Sequence, residues 1–205
     1  MFLRIAIGVA ILLALAAVDI YRNGRRATRW REYAFLLLCV AAAIAYGIVN
    51  DQITSRLSWE YFYYGKELQP ILGPRIPPDA SALHWQAVRI GTEATWAAGL
   101  IAGVAILLAN NPRADRPQLS YRRLIARLPL LILIVAAGAV LLGIAGRFFL
   151  LNWISRDFRD LARYNLWRPR RFMAVYGIHL GGYVGGLWGI IWCVWSIKRQ
   201  RRRIS

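Results

Sequence analysis

Asp51, Glu60, His84, Glu93 and His179 are the residues whose types could do chemistry in this chain. Carboxylates and imidazoles can bind a divalent cation or relay a proton. Asp51 closes an apolar stretch, Glu60 lies in SWEYFYYGKEL, His84 in ALHW, Glu93 in TEATW and His179 in the apolar run GIHLGG. Ionisable groups inside or at the edge of a membrane are costly and often functional. Each residue also has a structural reading. Asp51 and Glu93 flank helix ends, Glu93 at a favourable N-terminus. Glu60 pairs with Arg56, four residues earlier. His84 is a solvated loop residue, and His179 bonds to a neighbouring helix. For each residue alone the structural reading is preferred. Together the five could line one pocket on the outer face, although their spacing fixes no ligand geometry.

The rest of the chain narrows the chemistry further. Its two cysteines, Cys39 and Cys193, sit alone in apolar runs, and its two histidines are far apart. Structural zinc, iron–sulfur clusters and dithiol redox chemistry are excluded. The sequence holds no Walker loop, G-x-S-x-G, H-E-x-x-H or G-x-G-x-x-G, so no motif implies a cofactor.

The elements that must position these groups follow from composition. Of 205 residues, 58% are hydrophobic and 18% charged, with 27 Lys+Arg against 10 Asp+Glu. A soluble domain carries about 25% charge. A chain this apolar and this basic is neither a soluble enzyme nor a disordered basic tail. The pattern predicts an all-α, polytopic transmembrane helix bundle. A spanning helix needs about 20 mainly apolar residues, and five segments qualify, near 2–20, 33–50, 92–110, 129–149 and 172–197. Backbone groups in lipid must be satisfied internally, so each is a helix. With no repeat and no linker, residues 1–205 read as a single membrane domain. The first segment has a signal-peptide outline, but the arginines after it form a stop-transfer flank, and its retention is expected.

Arginines set the expected orientation. Five follow the first span, from Arg22 to Arg31, and five follow the third, from Arg113 to Arg127. Lys198, Arg199, Arg201, Arg202 and Arg203 follow the fifth. These regions fall on one side, which puts the N-terminus outside and the C-terminus in the cytoplasm. Loop 150–171, with six arginines, is the counter-evidence, partly offset by Asp157 and Asp160. Contact with anionic headgroups accounts for arginines that flank spans, so lipid is the expected partner and nucleic acid is not.

Loop 51–91 is too long to be a simple connector. The WEYFYY run is expected at the interface, and PILGPRIPP is expected to be extended, without regular helix. The whole loop is expected to form a lid over the outer helix ends. Residues 152–166 have apolar residues at helical spacing among Arg and Asp, which predicts an interfacial amphipathic helix. The fifth span carries Gly177, Gly181, Gly185 and Gly189, and the third carries Gly99 and Gly103, all at four-residue spacing. Such rows let backbones approach closely in lipid. Packing of the third span against the fifth within one protomer is preferred to a homodimer through the fifth.

VNDQIT, the EYF of WEYFYYGKEL, ALHW, ATW and RFMAVYGIHLGGYVGG together resemble a family of small multi-pass bacterial inner-membrane proteins. The likeness spans most of the chain. It implies a bacterial cytoplasmic membrane location and attaches no activity, cofactor or catalytic residue. Two functional classes remain. The preferred one is a non-enzymatic accessory or scaffold subunit, whose partner would be another membrane protein or a second copy. The alternative is a membrane-embedded enzyme or small transporter using the outer-face acidic and His groups.

Overall fold

The structure, a computed structural model, describes residues 2–112, 117–150 and 166–204. As the composition predicts, it is all-helical, with no strand among the described residues. The elements are α1 (Phe2–Asn23), α2 (Trp30–Leu57), a π-helical turn (Tyr61–Gly65) and α3 (Gln69–Leu72). After these come α4 (Ala80–Ala109), α5 (Tyr121–Ile125), α6 (Leu128–Ala145), a second π-helical turn (Gly146–Leu150) and α7 (Pro169–Arg202). Five helices are long and apolar enough to cross a membrane: Leu3–Arg26, Trp30–Leu57, Ala80–Ala109, Tyr121–Phe149 and Pro169–Arg202.

The helices outrun the apolar windows, which corrects several boundaries. Asp51 does not end the second span, because α2 continues to Leu57. The Thr54 hydroxyl donates to the Asn50 carbonyl at 2.9 Å within that continuation. α4 begins at Ala80, not near 92, because backbone bonding continues through polar residues and Asp79 caps the end. The Asp79 carboxylate accepts from the Ala82 N–H at 2.9 Å and the Ser81 hydroxyl at 2.6 Å. These two bonds hold the carboxyl below the usual carboxylate range, Ser81 contributing most. The long loop therefore shrinks from 51–91 to 58–79, and even that contains α3. Proline 70 stands in the first turn of α3, where its missing N–H costs nothing, so PILGPRIPP is not helix-free. Of the expected interfacial helix at 152–166, only Leu166 is among the described residues, and it is not helical.

The chain divides into two compact units, each described by itself. The first comprises residues 1–46, 92–132 and 188–205. Its core joins Phe35 and Cys39 of α2, Ile106 and Ala109 of α4, Leu119, Leu124 and Leu128, and Cys193 and Ile197 of α7. Both cysteines are thus buried core residues and free thiols. Polar side chains pin its connections. Asn110 donates to the Leu119 carbonyl at 3.0 Å and accepts from the Leu119 N–H at 2.9 Å. Buried Arg201 donates to the carbonyls of Pro117 at 3.0 Å and Ala109 at 2.8 Å. Asp19 accepts from the Trp30 N–H at 3.0 Å and ties the end of α1 to the start of α2.

The second unit comprises residues 47–91 and 133–187. Tyr61, Phe62, Leu68, Leu83, Ala87, Phe172, Met173 and Val175 form its core. Tyr61, Phe62 and Tyr63 are buried there, so the WEYFYY run fills the interior instead of an interface. The π-helical geometry of Tyr61–Gly65 turns these rings inward after Ser58, whose hydroxyl accepts the Tyr61 N–H at 3.3 Å.

The glycine rows have other partners than expected. A Cβ at Gly99 would lie 2.6 Å from the Cys39 carbonyl oxygen, and one at Gly103 would meet Leu36 at 2.9 Å, so this row faces α2. Gly177, Gly181, Gly185 and Gly189 face α6, through Leu142, Gly138, Val135 and Leu131 respectively. The expected contact of the third span with the fifth through their glycine rows is replaced by two glycine-lined pairings of successive long helices. α6 brings its own small residues to the contact. A Cβ at Gly138 would lie 2.6 Å from the Gly181 carbonyl oxygen.

Gly186, on the same helix as Gly181, has nothing within 4 Å of its Cβ position. Gly181→Ala is therefore expected to destabilise the protein in detergent by about 1–3 kcal/mol through overpacking. Gly186→Ala is expected to be neutral or mildly stabilising. Thermal unfolding of both variants checks this, and equal melting temperatures would contradict the close approach.

Candidate functional site

α2, the first π-helical turn and α7 bring one group of ionisable and aromatic side chains together in the second unit. Asp51 comes from α2 and His179 from α7. His179 stands ten residues after Pro169, so it lies about 15 Å along the helix axis at 1.5 Å per residue. Its ring stacks on Tyr61 at 4.8 Å between centroids and 12° between planes. Phe62 meets it edge-on at 6.1 Å. The aromatic run thus builds a slot for the imidazole, and Gly65 lets the Phe172 ring close against the same turn, 3.2 Å from where a Cβ would stand.

His179 Nδ1 lies 3.9 Å from Asp51 Oδ1. That is longer than a hydrogen bond, so the contact is an ion pair only when the imidazole is protonated. Asp51 is 3% exposed and its Oδ1 accepts from the Asn50 amide at 3.1 Å. His179 Nε2 is buried without a hydrogen-bond partner. A buried donor or acceptor left unsatisfied costs about 1–3 kcal/mol, and this nitrogen has no partner among the described residues. Burial, with lesser contributions from Tyr183 and Asp51, raises the Tyr61 hydroxyl well above its ordinary value. It stays a neutral donor. The Lys66 ammonium sits 5.6 Å from the centroid of the Tyr61 ring.

Glu60 belongs to the same unit but has a structural task. It is 1% exposed, and its Oε1 accepts the backbone N–H groups of Trp167 at 2.5 Å and Arg168 at 3.2 Å. The expected pairing with Arg56 does not form. Arg56 instead donates to the Gln52 side chain at 2.9 Å. The carboxylate satisfies two backbone donors immediately before Pro169, and its charge suits that end of the helix dipole.

The other two expected residues both lie on α4. His84 is in the first turns of α4, half-buried, and is not a loop residue. Its carbonyl accepts from Gln52 Nε2 at 2.7 Å, which fastens α4 to α2. Glu93 lies in the middle of α4, not at its start, and belongs to the first unit. Of the five candidates, the second unit gathers Asp51 and His179 directly, with Glu60 one residue from Tyr61. Among the described residues, no three His, Cys, Asp or Glu converge as a metal ion would require. Sequence reasoning missed Tyr61 as the stacking partner of His179. The one available signal was a buried-type carboxylate, Glu60, placed directly beside an aromatic run.

No protein family, curated protein or solved structure matches the chain.

Glu60→Ala removes the acceptor for two backbone donors. It is expected to lower stability by about 1–3 kcal/mol, with Glu60→Gln, which keeps an oxygen acceptor, recovering part of the loss. Thermal unfolding in detergent reads both, and wild-type stability of the alanine variant would dismiss the anchoring role.

Proposed function

We propose that this chain is a non-enzymatic accessory or scaffold subunit of the bacterial cytoplasmic membrane, with its N-terminus outside and its C-terminus in the cytoplasm. The observation that carries the role is the fate of Glu60, whose carboxylate is taken up by the backbone N–H groups of Trp167 and Arg168. Through Oε1 this acidic group holds the entry of α7, a structural task. Gln52 on the His84 carbonyl and Asp19 on the Trp30 N–H serve the same kind of task. The location rests on the resemblance to small bacterial inner-membrane proteins. The orientation rests on the arginines that follow the first, third and fifth spans. In this reading the four-residue glycine row of α7 is a packing motif within one protomer. Reporter fusions after Arg31 and after Ser205 are expected to read cytoplasmic, and a periplasmic signal at either would overturn the orientation.

One observation favours a second reading, a membrane-embedded enzyme or small transporter that moves protons. His179 Nε2 is buried and unpartnered while Nδ1 faces Asp51. Such a pair could take up a proton as an ion pair and release it. Affinity purification in mild detergent with mass spectrometry, on wild type and His179→Ala, separates the two. A stoichiometric membrane partner retained by both supports the subunit role. A lone protein whose proton flux in proteoliposomes disappears with His179→Ala supports the relay and defeats the subunit role.

A further inference from the structure

In the second unit, Arg147, Arg168, Pro169, Arg170 and Arg171 line a cavity of about 480 Å³. Arg147 belongs to the π-helical turn that follows α6, and the other residues open α7. Among the described residues no carboxylate lines the cavity and none of the four guanidinium groups has an ion-pair partner. Four like charges around one space repel each other unless an anion lies between them. Guanidinium forks match phosphate oxygens two bonds at a time, more closely than any other side chain. The start of α7 adds the positive end of a 34-residue helix, although Glu60 already answers two of the N–H groups there.

The surroundings fix the depth. Arg147 ends the span Tyr121–Phe149, and Arg168 to Arg171 stand where the span Pro169–Arg202 begins. Exposed Phe148, Phe149 and Trp167, at 60%, 69% and 64%, flank them. Of these, Trp167 is the kind of ring that settles at headgroup level. The Arg147 guanidinium lies 5.6 Å from the Phe148 ring centroid. We propose that these four arginines form a binding site for a phosphate group at the membrane surface, carried either by an anionic phospholipid or by a soluble phosphate compound. The site stands independently of the subunit role, because none of its arginine side chains takes part in it.

The test uses the full chain and the variant Arg147→Gln/Arg170→Gln. Both residues are exposed, so the fold is expected to persist. Arg25→Gln/Arg26→Gln, which removes equal charge elsewhere, is the control. Each protein is placed in nanodiscs of phosphatidylcholine with and without phosphatidylglycerol, and bound phosphatidylglycerol is counted by native mass spectrometry. Inorganic phosphate is titrated separately against thermal stability. The wild type and control are expected to retain a phosphate-bearing ligand that the double variant binds roughly tenfold more weakly, the loss of one charge-assisted contact or more. Retention of phosphatidylglycerol that inorganic phosphate does not displace assigns a lipid headgroup. Displacement, with stabilisation by phosphate alone, assigns a soluble ligand. Equal weakening in the variant and the charge-matched control, or no binding to the wild type, overturns the site.

Discussion

Apolar side chains gain little from one another in lipid, because the acyl chains they leave are as apolar as they are. Long helices must therefore be held by direct backbone contact, and the contact between α6 and α7 is the one on which the rest depends. Gly138 and Gly181 bring the two backbones to within a carbonyl's width, so that even a methyl group on either would collide. The same register continues through Leu142 opposite Gly177 and Met173 opposite Gly146. Once these helices are locked, the turn after α6 must deliver Arg147 beside the start of α7. His179 is likewise set at a fixed depth on α7, one helical row from Phe172 and Met173.

The first π-helical turn answers that arrangement from the other side of the second unit. It presents Tyr61 flat against His179 and Phe62 on its edge, and it is itself tied to the entry of α7 by the neighbouring Glu60. Aromatic stacking and a charged acceptor thus act on one segment. Stacked and edge-on rings contribute about 0.5–1.5 kcal/mol each beyond burial, and hydrogen bonds to a charged group about 1.5–3 kcal/mol. The polar groups contribute by pinning helix ends, which apolar packing in a membrane does weakly.

This division of labour separates the ionisable residues by role. Buried Asp51 and partly buried His179 lie close together without a hydrogen bond between them, and among the described residues one imidazole nitrogen, Nε2, has no partner. Glu60, 1% exposed, accepts two backbone donors through Oε1. The arginines around the cavity are mostly exposed and have no ion-pair partner among the described residues. The buried groups serve the interior of the protein, while the basic cavity is open.

The number and type of the long elements were legible in the sequence. An apolar window of span length dictates a helix, because nothing else satisfies the backbone in lipid. The glycine rows were legible for the same kind of reason, since four-residue spacing on a helix is a purely local property. What the rows faced was not. Gly181 meets Gly138, and Gly99 meets Cys39, because matching small residues on another helix decide the pairing, and α6 carries its glycines at less regular intervals. The ends of α2 and α4 were misread because hydrogen-bonded turns continue past the last apolar residue. The acceptor role of Glu60 spans 107 residues of sequence, and the stack of Tyr61 on His179 joins segments equally remote. Such contacts depend on how distant helices are brought together in three dimensions, and no local periodicity encodes them.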